Sequence, residues 1–328
     1  MRAWLLPKLG TIDSLVLTSV DDPPSPAADE VVVRLRYAAL NPADRYLAEG
    51  QYPARPQLPH ILGRDGMGIV ERVGATVEAW KPGDKAVILR GEAGVNRPGT
   101  LAELVCVPAE CLTELPSGWS EAQAASAALV YVTAFQALTQ WGDQPPGVVL
   151  ISGASGGVGV AAVQLAHAMG HTVIGLSRSK TKGEKLLEIG ADRIFDANDS
   201  EWSSQLKAAL KPKRVNLIVD NIGGPQLPAM IDTLGMNGVI SVVGMLAGSV
   251  PQFNTASLFF RRLRIGGVAI GTYSIEENRA AWQRVLALLE KTGQHPLVDS
   301  IHEMDEVPAA FARLAEGPMG KVVIKIID

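Results

Sequence analysis

Cysteine is nearly missing from this chain: among 328 residues only Cys106 and Cys111 occur. Two thiols make neither a disulfide framework nor a metal cluster, so reduced cysteines and a cytoplasmic location are the expectation. A surplus of either charge is missing too. The 30 basic and 34 acidic residues leave a net charge of -4. That balance offers no field to nucleic acid or an anionic membrane, and neither is expected as a partner. No apolar stretch approaches the roughly 20 residues of a membrane span, and the opening MRAWLLPKLG lacks a sustained apolar segment, so nothing points to export. Internal repeats and low-complexity tracts are absent. What is present is a composition 47% hydrophobic and 20% charged, over a length sufficient for two domains with cores of their own.

The most informative stretch runs from Gly147 to Lys182, GVVLISGASGGVGVAAVQLAHAMGHTVIGLSRSKTK. The short β-branched run predicts a strand over 148–152 buried on both faces; Val160, Val163, Gln164 and Ala168 recur at helical spacing and predict a helix over 158–169. A second strand over 172–176 and a basic turn complete a βαβ unit. Gly153, Gly156 and Gly159 stand three apart in the first turn, where glycine permits a sharp bend and a close approach to a pyrophosphate at the helix N-terminus. A dinucleotide site is therefore expected, the alternative being a merely tight turn. NAD sites usually carry Asp or Glu roughly 20 residues past such a turn. Here Ser177 is followed by Arg178, Ser179, Lys180 and Lys182, which would attract a 2′-phosphate. NADPH is the expected cofactor; a solvated basic loop is the alternative.

Ahead of this unit the pattern differs. The runs 30–37, 68–73, 85–89 and 101–107 alternate apolar and polar residues between Pro and Gly clusters, which predicts a compact antiparallel, barrel-like unit. A short helix starting near Pro42 interrupts it, and a helical passage over 120–141 bridges to the nucleotide unit. Strands are expected at 193–195, 215–219, 239–243 and 263–269, and helices near 202–210, 225–234 and 255–260. Such alternation predicts a doubly wound parallel sheet, making the chain α/β. A long amphipathic helix over 275–291 and a strand over 321–327 close the chain, the strand returning to the N-terminal domain.

Six segments follow one another along the chain: AALNPADRYLAEGQYP, ILGRDGMGIVERVGATVEAWKPGDKAV, ALVYVTAFQAL, GASGGVGVAAVQLA, DNIGG and MGKVVIKI. In this order they resemble the medium-chain dehydrogenase/reductase superfamily in its zinc-free quinone oxidoreductase branch. The resemblance implies a GroES-like β-barrel catalytic domain (residues 1–122 and 267–328) with a Rossmann NADPH-binding domain (123–266) inserted, and a cleft between them. It also implies a homodimer formed by pairing the last nucleotide-domain strand, 263–271. Zinc enzymes of the same fold carry a cysteine in the first segment, a His-Glu pair in the second and a further ligand in the third. This chain has Asn41, Arg64-Asp65 and Leu129 there. A catalytic zinc needs three donor side chains, and arginine and leucine supply none, so no metal is expected.

Without a metal, hydride transfer suits an acceptor that is already electron-poor, a quinone or a conjugated enone or alkenal. Through the resemblance Asn41 is implied near the nicotinamide and Tyr46 and Tyr52 beside the substrate. The residues themselves leave alternatives: a turn-starting asparagine, tyrosines that only pack, and an Asp44 that only caps a helix. The same matching assigns Thr133 to a cofactor phosphate, and Ala154, Ser155, Gly156, Gly157 and Val158 to the pyrophosphate. Ser177, Arg178 and Lys182 fall to the 2′-phosphate, Val243 and Gly244 to the nicotinamide side, and Asn221 and Lys321 to further cofactor contacts; Tyr131 is expected to pack. The histidines have no partner at ligand spacing, and only His60 lies near these residues. The reading is an NADPH-dependent reductase. Its alternatives are an enoyl-thioester reductase of the same superfamily and a non-catalytic NADPH-binding sensor or structural protein.

Overall fold

The computed structural model describes all residues except Gly91, Asp143 and Asp328. Two compact units make up the chain. The first comprises Met1–Leu129, Ser274–Arg279 and the described residues from His295 onward; the second comprises Val130–Tyr273 and Ala280–Gln294. The sequence placed the two changes of domain near 122 and 266 and gave 280–294 to the catalytic domain. In the structure that segment is tied into the second unit: Arg284 lies 5.0 Å from the Phe135 ring centre, Lys291 Nζ donates to the Ala168 carbonyl and Gln294 Nε2 to that of Ile189.

The first unit is organised on the strand Glu30–Ala39, EVVVRLRYAA, in which Val31, Val32, Val33 and Leu35 are all fully buried. It pairs antiparallel with Asp65–Val73, Leu104–Pro108 and Lys321–Lys325. Beyond these, Lys85–Ile88 and Leu112–Glu114 extend one side of the sheet. The expected return of the last strand is observed, with Val323 opposite Ala39. A further strand, Val298–Glu303, pairs parallel with Lys321–Lys325 and was not expected. It is half exposed, so VDSIHE carries no hydrophobic pattern, and the helix Val307–Ala315 makes the crossover that parallel neighbours require.

Three chain segments meet at one end of this sheet. Ala39 lies opposite both Asp65 and Val323, and the Leu40 N–H donates to the Val322 carbonyl. The chain then turns at Asn41 into the helix Pro42–Ala48, where Pro42 sits in the first turn and loses no hydrogen bond by lacking an N–H. Asp299 anchors the approach to Lys321 by accepting two hydrogen bonds from Arg313 and one from the Met319 N–H.

In the second unit six parallel strands are arranged Arg193–Asp196, Thr172–Ser177, Val148–Ile151, Val215–Asp220, Leu234–Val242, Arg264–Gly267. Numbered along the chain this is 3-2-1-4-5-6, the order whose switch point between the first and fourth strands leaves a crevice at their carboxyl ends. The helical passage expected over 120–141 consists of two helices, Glu121–Ala125 and Ala128–Thr139. The basic turn is shorter than expected. Ser179 caps a helix, Lys180–Glu188, its hydroxyl accepting from the Lys182 N–H, so Lys180 and Lys182 belong to a first helical turn.

Leu150 is fully buried at the centre of this sheet, against Ile174, Leu176, Ile218 and Ile240. Leu150→Ala should lower unfolding free energy by about 2–5 kcal/mol, read from denaturant midpoints. A loss below about 1 kcal/mol would mean the strand is not the packed centre of the unit.

Candidate active site

In the second unit the turn after Val148–Ile151 is shaped by two close approaches. Gly153 adopts φ +56°, and a Cβ on Gly159 would stand 2.2 Å from the Gly153 carbonyl oxygen. Neither constraint applies to Gly156, whose φ is -74° and whose added Cβ would meet nothing closer than 3.5 Å. Its missing side chain leaves the helix mouth open, as an approaching diphosphate requires. Gly157 and Val158 open the helix Gly157–Ala168, where N–H groups have no carbonyl one turn back. Ser155 is partly exposed beside them. Ala154 differs from the expectation: it is buried, and its N–H is spent on the Leu176 carbonyl.

At the switch point Ser152 Oγ donates to Asp220 Oδ1 at 2.7 Å and accepts the Asn221 N–H at 2.9 Å. The Asn221 amide donates to the Ser152 carbonyl, while its Oδ1 is buried without a protein partner. A buried acceptor left open is costly unless a ligand supplies a donor. A Cβ on Gly244 would stand 2.2 Å from the Asn221 carbonyl oxygen, so glycine lets this loop close down; the Val243 and Gly244 N–H groups both donate to the Asp220 carbonyl. The open helix mouth and the unpaired Asn221 oxygen fit a dinucleotide.

Ser177 is buried, its hydroxyl donating to the Ser179 carbonyl, whereas Arg178 is exposed and Lys182 half-buried. Thr133 is buried in the helix Ala128–Thr139. Tyr131 packs as expected: its hydroxyl donates to Gln164 on the glycine-turn helix, and burial pushes its pKa far up.

The first unit holds a buried polar cluster at the meeting of its three segments. Lys321 Nζ donates to Asn41 Oδ1 at 2.6 Å and to Asp65 Oδ2 at 2.9 Å. Asn41 Nδ2 donates to the same Asp65 oxygen at 3.0 Å, and Asp65 Oδ1 accepts the Leu129 N–H at 3.2 Å. Lys321 is 4% exposed and Asp65 1%. Lys321, expected to reach the cofactor, has two of its three ammonium protons on Asn41 and Asp65.

Asp44 is fully buried, with Oδ2 accepting the Asn41 N–H at 2.8 Å. Its Oδ1 lies 3.5 Å from Arg64 Nε, close enough for attraction between charges but without hydrogen-bond geometry. Burial pushes the Asp44 carboxyl above the ordinary carboxylate range, against the opposing pull of Arg64 and the Asn41 N–H. Arg64 Nη1 donates to the Tyr52 hydroxyl at 3.1 Å. Tyr46 is half-buried, which raises its phenol pKa. His60 is buried with Nε2 unpartnered, and burial lowers its pKa.

In the sequence Arg64 and Asp65 stand out only as departures from the zinc-ligand pattern. The available signal was Lys321: a lysine inside the apolar run KVVIKI requires a carboxylate when buried. The cluster does not suit zinc, since Asn41 Oδ1 faces an ammonium and Arg64 is a permanent cation. Among the described residues no three His, Cys, Asp or Glu side chains are grouped to hold a metal.

A parallel sheet in 3-2-1-4-5-6 order with an open glycine turn defines a dinucleotide-binding protein. Residues 27–117 match the model of the alcohol dehydrogenase GroES-like domain and residues 157–291 that of the zinc-binding dehydrogenase. The quinone oxidoreductase of Rattus norvegicus is 28% identical over 327 residues, covering 99% of this chain and 97% of the relative. The synaptic vesicle membrane protein VAT-1 homolog of Homo sapiens is 29% identical over 345 residues, covering 99% of this chain and 86% of the relative. Among solved structures, an NAD-dependent alcohol dehydrogenase superposes with TM-score 0.91 at 28% identity, covering 100% of both chains. The Escherichia coli quinone oxidoreductase complexed with NADPH superposes with TM-score 0.89 at 25% identity, covering 99% of this chain and 100% of that one. The chain belongs to the medium-chain dehydrogenase/reductase superfamily, in its quinone oxidoreductase-like branch, and is an oxidoreductase enzyme with a GroES-like and a Rossmann domain.

Lys321→Met would strand Asp65 as an uncompensated buried charge and should cost about 3–5 kcal/mol of stability. Adding Asp65→Asn should recover part of that loss in urea unfolding, because the amide oxygen still accepts the Leu129 N–H without a charge. Equal midpoints for the single and double variants would show that the pair is not a buried ion pair.

Proposed function

We propose that this protein is a zinc-independent, NADPH-dependent reductase of quinones or conjugated enones and alkenals. The observation that carries the reading is the first unit's cluster: Asn41 and Arg64 occupy positions that the family resemblance matches to zinc ligands, and the Asn41 amide oxygen is taken by the Lys321 ammonium. An alcohol or simple ketone lacks activation of its own, whereas a quinone or enone is electron-poor through conjugation. Nicotinamide bound to the second unit would supply the hydride. The chain's own residues then hold and orient: Gly157 and Val158 offer N–H groups to the pyrophosphate, Asn221 Oδ1 accepts a donor from the nucleotide, and Tyr46 and Tyr52 present phenols to the acceptor.

Preference for NADPH is supported by Ser177 at the carboxyl end of its strand, with the exposed Arg178 and the half-buried Lys182 beyond it. No acidic side chain stands in the 177–182 stretch to repel a 2′-phosphate. The NADPH complex of the Escherichia coli relative accords with this. A homodimer is supported by the edge strand Arg264–Gly267 and the exposed Ile265, Phe259, Phe260 and Val250 near it in sequence. A cytoplasmic location is supported by the two free thiols; no helix among the described residues is long and apolar enough to cross a membrane.

Oxidation of NADPH and NADH should be followed against quinones, alkenals and enoyl thioesters. Turnover with NADPH and a quinone or alkenal is expected, and Arg178→Ala with Lys182→Ala should raise KM for NADPH roughly tenfold or more while leaving NADH unchanged. A wild-type preference for NADH, or turnover with enoyl thioesters alone, would overturn the assignment. Binding of NADPH without turnover on any acceptor would favour the non-catalytic reading, and a monomeric mass in solution would remove the dimer.

A further inference from the structure

The two phenols assigned to the acceptor differ in what holds them. Among the described residues the Tyr46 hydroxyl takes part in no hydrogen bond, whereas the Tyr52 hydroxyl receives one from Arg64 Nη1 at 3.1 Å. The Arg64 Cζ also stands 4.4 Å from the Tyr52 ring centre, so the guanidinium fixes both the ring and its oxygen. A guanidinium only donates. Tyr52 Oη is therefore the acceptor in that contact, and its single O–H must point elsewhere. Among the described residues no protein acceptor takes that proton, and Tyr52 is half-buried rather than enclosed. Arg64 is itself braced: Nη2 donates to the Ala43 carbonyl at 3.4 Å, Nε lies 3.5 Å from Asp44 Oδ1, and Asp44 Oδ2 is held by the Asn41 N–H.

We propose that Arg64 is a positioning residue that makes Tyr52, and not Tyr46, the proton donor to the reduced acceptor. The inference rests on the reductase reading above. In the step, hydride has added to the acceptor and the displaced π electron pair rests on oxygen, as the enolate of an enone or the phenolate of a hydroquinone monoanion. The Tyr52 O–H bond breaks with its electron pair staying on Oη, and a new O–H bond forms on the acceptor. The phenolate recovers a proton from solvent water. Over the whole cycle one hydride and one proton are consumed. Arg64 contributes twice, by directing the O–H away from itself and by facing the charge left on Oη with a cation that cannot be deprotonated.

The test is turnover of NADPH with trans-2-hexenal by Arg64→Lys and Arg64→Gln, each alone and combined with Tyr52→Phe or Tyr46→Phe. Melting temperature and NADPH affinity are recorded for every variant, so that only folded, cofactor-competent protein is compared. Tyr52→Phe should lower kcat roughly 100-fold and each Arg64 variant roughly tenfold, with KM for hexenal within about twofold. The Arg64 effect should vanish in the Tyr52→Phe background and persist in the Tyr46→Phe background. An Arg64 loss that persists undiminished alongside Tyr52→Phe, or vanishes alongside Tyr46→Phe, would overturn the proposal. Undiminished kcat in Tyr52→Phe would remove Tyr52 as donor while leaving the reductase reading intact. Absence of wild-type turnover would instead count against that reading.

Discussion

One buried ion pair, Lys321 with Asp65, ties together the three segments that meet at one end of the first unit's sheet. Its two partners lie 256 positions apart in the chain, and Asn41 joins both. Burying a carboxylate or an ammonium alone costs several kcal/mol, and attraction offsets that cost only when geometry and further hydrogen bonds are good. Here they are: Asp65 accepts from Lys321, Asn41 and Leu129, and the strands that bring these groups together are in direct register at Ala39. Because Asn41 is fixed at both ends of its amide, the helix that begins beside it starts from a defined point, and Asp44 and Tyr46 follow from it.

The second unit is built on another principle. Its site depends on backbone approaches that side chains would block, at Gly159 against Gly153 and at Gly244 against Asn221. Little charge is buried there among the described residues apart from Asp220, whose Oδ1 accepts from Ser152 and from the N–H groups of Ile222 and Gly223 while Oδ2 has no protein partner. One unit therefore presents open N–H groups and an unpaired Asn221 oxygen, suited to a polyanionic nucleotide. The other holds one phenol, Tyr52, against a guanidinium, Arg64, beside a buried lysine–carboxylate pair. Two kinds of construction serve two halves of one reaction class.

Local signals carried much of this architecture in the sequence. The glycine turn, its flanking strand and helix, the parallel alternation and the Pro42 helix start are consequences of near-neighbour chemistry, and the structure holds them within a few residues. Long-range pairing decided the remainder. Val298–Glu303 becomes a strand because Lys321–Lys325 is beside it, although its half-exposed side chains carry no period. Lys180–Glu188 is helical because Ser179 caps it, while its basic residues alone suggested a loop. In the site, residue types were legible but their alliances were not. Asn41 and Lys321 could be named singly; that both belong to Asp65, and that Arg64 belongs to Tyr52, depends on strand register and on a side chain folding back over a ring. A buried ion pair between distant positions leaves almost no one-dimensional trace.

The central claim is that fixed protein cations and a conjugated acceptor take the place of a metal in this reductase. Its most direct test is the rate of NADPH oxidation with a quinone after exhaustive dialysis against a chelator, with metal content measured on the same sample. The account predicts an unchanged rate at a metal content far below one per chain. Loss of turnover on dialysis, restored by stoichiometric zinc, would contradict it.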